Sequence, residues 1–114
     1  MSDINAPILI YTTFASAGEA EALGKQLLKR NLAACVNIFP AIISLYQWRG
    51  QPQRGAEAAM IVKTRAGRGD DAVRVIEELH PYELPAILTL PVTGGGTAFI
   101  DWIAARTTPR RKPV

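Results

Sequence analysis

Residues 33–64 read AACVNIFPAIISLYQWRGQPQRGAEAAMIVKT. Ala33 to Phe39 is apolar at nearly every position, as in a strand covered on both faces. Pro40 interrupts it, and Ile42 to Trp48 resumes extended character. Arg49-Gly50-Gln51 is a turn signal, and Ala58 to Thr64 is the returning strand. The stretch therefore predicts a long hairpin bent at Pro40, because proline cannot continue a central ladder. Glu57 and Lys63 share the parity of Ala59 and Ile61, so all four should emerge on one sheet face.

Working outward, Ile8 to Phe14 is a β-branched and apolar run after Pro7, which reads as a strand. Ser16 stands three residues before Glu19, the spacing of a capping box. Ala20, Leu23, Leu27 and Leu28 then recur at helical spacing, predicting a helix from Ala17 to Arg30 with Asn31 near its end. On the other side, Gly67 and Gly69 mark a turn, and Ala72, Val75, Ile76 and Leu79 predict a second helix. Asp70 and Asp71 are expected near its positive end. His80-Pro81 ends that helix, Ala86 to Val92 is a fourth strand, and Thr97 to Ala105 a short last helix. The order β-α-β-β-α-β-α is the ferredoxin-like split βαβ arrangement, an α+β fold with an antiparallel four-stranded sheet and two helices on one face. Residues 1–105 form one domain in this reading, and 106–114 a basic, flexible tail.

Composition agrees with a folded domain. The 114 residues are 48% hydrophobic and only 20% charged, below the ~25% charge of an average soluble domain. A small domain short of charge has difficulty covering its surface, so self-association is expected. The net charge of +3 has a local origin. Arg106, Arg110, Arg111 and Lys112 lie in the last nine residues, leaving nine basic against ten acidic residues in the body. That placement argues against nucleic-acid binding, which needs basic residues on a structured face. The start, MSDINAPILIYTTF, places an acid before any Lys or Arg and has an apolar run of about seven residues. Neither a signal peptide nor a membrane span is expected there. With a single cysteine, Cys35, and hence no internal disulfide framework, the expected location is cytoplasmic.

Four features carry chemistry. Cys35 reads either as a small buried hydrophobe or as a reactive or ligating thiol. His80-Pro81-Tyr82-Glu83 sets an imidazole, a phenol and a carboxylate in four residues held stiff by Pro81 and Pro85. It reads as a cation or acid–base site, or as a helix end favoured by the dipole. Glu57 and Lys63 on one face read as an interfacial ion pair or as solvated ends. Gly94-Gly95-Gly96-Thr97 opens a helix as an anion seat or an ordinary turn capped by Thr97. One Cys and one His cannot make a closed zinc site within one chain. An open site drawn from Cys35, His80, Glu57 or Glu83 with water would suit Cu(II) or Zn(II).

Five separated stretches also carry a resemblance. They are Leu32-Ala33-Ala34-Cys35-Val36-Asn37, Ser44-x-Tyr46-x-Trp48-x-Gly50, and Glu57 followed by Met60-Ile61-Val62-Lys63-Thr64. His80-Pro81-Tyr82-Glu83-x-Pro85 and the late Trp102 complete the set. In this order the chain resembles the CutA divalent-cation tolerance family over about residues 8 to 105. The resemblance implies a homotrimer of ferredoxin-like protomers, similar in architecture to PII signalling proteins, and an association with copper and other divalent ions. It implies metal-linked residues at Cys35, His80 and Glu83, with Glu57, Lys63, Tyr82 and Trp102 lining the same intersubunit cleft. Cu(II) or another divalent cation is then the expected ligand, without being needed for folding. Ala86 stands where the family usually has Glu, Pro52 and the Gln-rich hairpin tip are atypical, and the basic tail is unmatched.

The expectation is a metal-responsive trimer with no enzymatic activity, since no activated nucleophile or phosphate cradle is evident. The competing expectation is a PII-like signalling or adaptor trimer without a physiological metal site. It would hold a small anionic ligand or a protein partner against Lys63 and the Gly94–Gly96 turn.

Overall fold

The computed structural model describes residues 3–108. The elements run β1 (Pro7–Phe14), α1 (Ala17–Lys29), β2 (Cys35–Trp48), β3 (Gln51–Arg65), α2 (Ala66–Leu79), β4 (Ile87–Pro91) and α3 (Thr97–Arg106). The sheet order is β2-β3-β1-β4, and every neighbouring pair is antiparallel. β3 thus lies between β1 and β2, splitting the first strand–helix–strand unit.

One face of the sheet meets α1 and α2. Alternation along β1 sends Ile8, Ile10 and Phe14 into that layer, and β3 adds Met60 and Val62. They pack with Ala20, Leu23 and Leu27 of α1 and Ala72 and Ile76 of α2. α1 starts at Ser16, whose Oγ accepts from the Glu19 N–H at 3.2 Å. It stops where Asn31 takes a left-handed φ of 56°, letting Leu32 N–H reach the Leu27 carbonyl at 2.9 Å. Leu28, placed by spacing with the apolar set, is 40% exposed.

The hairpin is longer than expected. β3 begins at Gln51 rather than Ala58, because residues 51–57 pair with β2 beyond the reach of β1. Arg49 and Gly50 make the turn with φ of 53° and 77°. Pro40 does not divide β2. The register shifts between Phe39 and Ile42, a bulge on an edge strand where a missing N–H is tolerated.

Three further expectations change. Gly67 and Gly69 lie inside α2, whose N-cap is Arg65, so neither marks a turn. They permit close approach instead: a Cβ on Gly69 would stand 2.8 Å from Ile8 Cδ1, and one on Gly67 3.2 Å from the Ile4 carbonyl oxygen. Asp70 and Asp71 consequently fall outside the first turn of α2, where Asp71 instead meets Arg74 at 3.1 Å. Thr97 does not cap α3; Gly96 holds that position without a side-chain bond.

α3 and its exit lie against the opposite sheet face. Arg65, 8% exposed, reaches the Ile4 and Thr107 carbonyls at 3.5 and 3.4 Å. Arg106 closes α3, and buried Thr107 bonds the Ile103 carbonyl at 2.8 Å, so the fold extends past the expected boundary at residue 105. The rest of the expected tail, 109–114, lies outside the described residues. Beyond α3 the described residues leave this face exposed: Leu88 is 64% and Leu90 43% exposed, bordering a small apolar hollow with Leu9, Tyr11 and Ile61.

Two glycines of α1 give opposite expectations. A Cβ on Gly24 would stand 3.1 Å from Val36 Cγ2 and 3.3 Å from Met60 Sδ, whereas one on Gly18 meets only Ser16 Oγ at 3.8 Å. Gly24→Val should destabilise by about 1–3 kcal/mol through overpacking. Gly18→Ala should be neutral or stabilise by about 0.5 kcal/mol through helix propensity. Thermal denaturation of the two variants checks the difference in sign.

Candidate functional site

The site grows from the exit of α2. Pro81 disfavours helical geometry at His80, which takes φ −72° and ψ 133° while its N–H still bonds the Ile76 carbonyl. This turns the imidazole inward over β1. The ring stacks on Phe14 with centroids 4.5 Å apart and planes 12° from parallel. Its Nε2 lies 2.7 Å from the Thr13 carbonyl oxygen, and the Tyr82 backbone N–H donates to Nδ1 at 3.1 Å. A carbonyl can only accept and an N–H only donate, so Nε2 carries the proton and Nδ1 the lone pair. Both ring nitrogens are occupied by backbone.

That arrangement corrects the reading of His80 as a cation ligand within one chain, since no ring lone pair is left for a metal. His80 instead positions Tyr82. The Tyr82 ring lies 4.8 Å from the imidazole, and its hydroxyl donates to Glu57 Oε2 at 2.7 Å.

Partial burial alone would raise the pKa of Glu57. Ser44, Tyr82 and Thr13 outweigh it by favouring the ionised form, with a smaller electrostatic contribution from His80, and the carboxyl is held below its ordinary value. Tyr82 supplies the direct bond, and the Ser44 and Thr13 hydroxyls act in the same sense from nearby. Tyr82 moves the other way: burial, then the bond to Glu57 and its charge, hold the phenol above its usual range. A proton on Tyr82 and a charge on Glu57 reinforce each other.

Glu57 and Tyr82 border an open cleft of about 890 Å³ between the β2–β3 hairpin and the 82–86 loop. Tyr11, Tyr46 and Trp48 supply aromatic wall, and Glu83 a second carboxylate. Among the described residues lining it there is no Lys, Arg or His. Tyr46 and Trp48 belong to one of the motif stretches, yet the motif alone does not place them in the cleft. The missing signal is the bulge, which sets Ile42 opposite Glu57 and puts Ser44, Tyr46 and Trp48 on the face of Glu57.

The remaining expected residues gather elsewhere. Lys63 lies six residues along β3 from Glu57, about 20 Å at strand rise. Its Nζ sits 5.3 Å from the Phe99 ring centroid, and Phe99 stacks on Trp102 at 5.5 Å. Cys35 is the β2 partner of Lys63. The single chain therefore brings together Glu57, Tyr82, His80 and Glu83, and separately Cys35, Lys63 and Trp102. No ion pair joins Glu57 to Lys63 within the chain. Among the described residues, no three His, Cys, Asp or Glu side chains form a group fit to hold a metal.

The comparisons with known proteins agree with one another. The sequence pattern described as CutA1 divalent ion tolerance protein matches residues 8–106. The divalent-cation tolerance protein CutA of Archaeoglobus fulgidus is 44% identical over 94 residues, covering 82% of this chain and 91% of that protein. The Thermus thermophilus protein of the same name is 33% identical over 99 residues, 87% and 96% of the two chains. The chloroplastic CutA of Arabidopsis thaliana is longer, and the match spans 55% of it at 33% identity. Among solved structures, the divalent ion tolerance protein CutA1 from Ehrlichia chaffeensis superposes with a TM-score of 0.89 at 34% identity, over 94% of this chain and all of that one. With this fold, these motifs and these matches, the chain belongs to the CutA1 divalent ion tolerance family.

Proposed function

We propose that this protein acts in divalent-cation tolerance as a cytoplasmic, non-enzymatic homotrimer of ferredoxin-like, PII-like protomers that takes a divalent cation at the Glu57 cleft. The observation that carries the cation reading is the cleft's electrostatics. Glu57 is ionised and oriented, Glu83 stands at the same opening, and no basic side chain among the lining residues opposes a cation. The donors of one protomer, Glu57 and Glu83 with the Tyr46 and Ser44 hydroxyls nearby, are oxygen atoms. They fit a hard divalent ion with retained water better than a copper-selective site, which favours nitrogen and sulfur. Copper selectivity in this reading requires Cys35 from a neighbouring copy, because within one chain Cys35 lies at the other end of the sheet.

The trimer reading is supported by apolar surface that a lone chain leaves in water. Ile43, Leu45, Leu88 and Phe39 are 63%, 75%, 64% and 49% exposed on the hairpin and the outer face. Three copies would bury it and could set the Cys35–Lys63 end of one chain beside the Glu57 end of the next. Among the described residues, no helix is long and apolar enough to cross a membrane.

The alternative, an adaptor binding a small anion, rests on Lys63, whose ammonium lies over Phe99 in the first turn of α3 behind the triple-glycine turn. Metal and anion titrations of the same protein separate the readings.

Light scattering should give three times the 12.4 kDa chain mass; a monomer would sink the trimer. Calorimetry with Mg(II), Zn(II) and Cu(II) should show cation binding that Glu57→Gln weakens at least tenfold. Unchanged binding would remove Glu57 from the site.

In metal-free protein, Glu57 ionises more readily folded than unfolded. Its contribution to stability is present above the unfolded pKa and fades as pH falls through the lower folded value. Tyr82→Phe should raise the Glu57 pKa and cost about 1 kcal/mol at neutral pH, with the difference closing in acid. Carboxyl NMR titration and urea melts at several pH values measure both.

A further inference from the structure

We propose that His80 is an acid-sensitive latch: proton uptake by its imidazole releases the 81–85 loop from the sheet and takes Tyr82 off Glu57. The device acts on the loop, so it is independent of what the cleft binds. It is also independent of surface that assembly would cover. His80 is 8% and Phe14 0% exposed in the single chain, and both hydrogen bonds of the ring run to backbone of that same chain.

Donors and acceptors decide how the ring responds to a proton. Neutral His80 donates from Nε2 to the Thr13 carbonyl at 2.7 Å and accepts the Tyr82 N–H on Nδ1 at 3.1 Å. An imidazolium has two donors and no acceptor. Its Nε2 bond survives protonation, but Nδ1–H then opposes the Tyr82 N–H, donor against donor. Relief requires the ring or the loop to move. The ring is stacked on Phe14 at 4.5 Å and stays bonded to β1 through Nε2, so the loop is the part that gives. Pro81 and Pro85 stiffen that loop, and a shift of the Tyr82 backbone carries its hydroxyl off Glu57.

The charged groups around the ring do not reverse this. Glu57 of β3 acts on it electrostatically, while Glu19 of α1 and Tyr46 of β2 act on Tyr82 beside it. Tyr11 of β1 and Glu83 of the loop border the same cleft, and α2 itself carries exposed Glu77 and Glu78. The Glu57 charge and the Phe14 π face attract an imidazolium, yet neither relieves the opposition at Nδ1. A neighbouring copy's Lys63 end beside Glu57 would weaken that attraction and leave both backbone bonds as they are.

The latched loop favours the neutral ring, so opening takes up a proton and grows as pH falls. The growth begins near the titration of an exposed imidazole, about pH 6.5, and reaches about tenfold per pH unit. Glu57, held below its ordinary value, keeps its charge through this range.

The test uses the intact, tag-free oligomer with EDTA present. His80 is the only histidine, so ring 15N NMR reports on it alone and should show the proton on Nε2 at pH 8. Tyr82 amide exchange, divided by the intrinsic rate, should be flat from pH 8 to 7. Between pH 6 and 5 it should rise by up to about tenfold per unit, with the Val62 amide of the sheet constant. Glu57→Gln should keep the rise and His80→Gln should remove it, with circular dichroism melts confirming folded variants. A proton on Nδ1 at pH 8, a Tyr82 rate flat down to pH 5, or a rise shared by Val62 overturns the latch in the native protein. A rise that survives His80→Gln overturns it too, as does one lost in Glu57→Gln, which makes the carboxylate the sensor.

Discussion

The structure around the cleft depends on one imidazole held at both nitrogens. His80 lies flat on Phe14, donates to the end of β1 at Thr13 and accepts from the backbone of Tyr82. Removing either bond would leave a polar group buried without a partner, which costs more than a surface hydrogen bond contributes. The 81–85 loop is therefore tied to the sheet at Tyr82 through the His80 ring, and Pro81 and Pro85 restrict its backbone. Tyr82 reaches Glu57 because its own backbone is already placed. Much of the ordering entropy of the site is thus met during folding, before any ligand arrives.

Much of this was legible in the sequence because it depends on local chemistry. The apolar alternation of Ile8 to Phe14, the spacing from Ser16 to Glu19 and the helix-ending His80-Pro81 each act within a few residues. The structure realises all three. What escaped depends on distant partners. Gly67 and Gly69 look like turn residues, but Ile4 and Ile8 press on them from across the chain, so they serve close packing inside a helix. Periodicity carries no information about what lies opposite a glycine.

The site was half legible for a similar reason. The parity of Glu57 and Lys63 correctly put both on one face, but parity says nothing of distance along a strand. Their six-residue separation divides the expected cleft into two clusters within one chain. The aromatic wall was hidden by one extra residue in β2. Without the bulge between Phe39 and Ile42, Tyr46 and Trp48 would point to the other face. His80 misleads because a histidine in a polar motif and a histidine bonded to two backbone groups look alike in sequence. Only the fold shows where its lone pair goes.

The two clusters also limit what a single chain does. Glu57, Glu83 and the tyrosines present hard oxygen donors and π surface, while the thiol sits beside Lys63 and a pair of stacked aromatics at the far end of β3. Strand rise keeps the ends apart, since the sheet is too stiff to fold one onto the other. Any chemistry that needs carboxylate and thiol together must draw them from different copies. A metal that required both the thiol and the carboxylate would therefore need two copies of the chain.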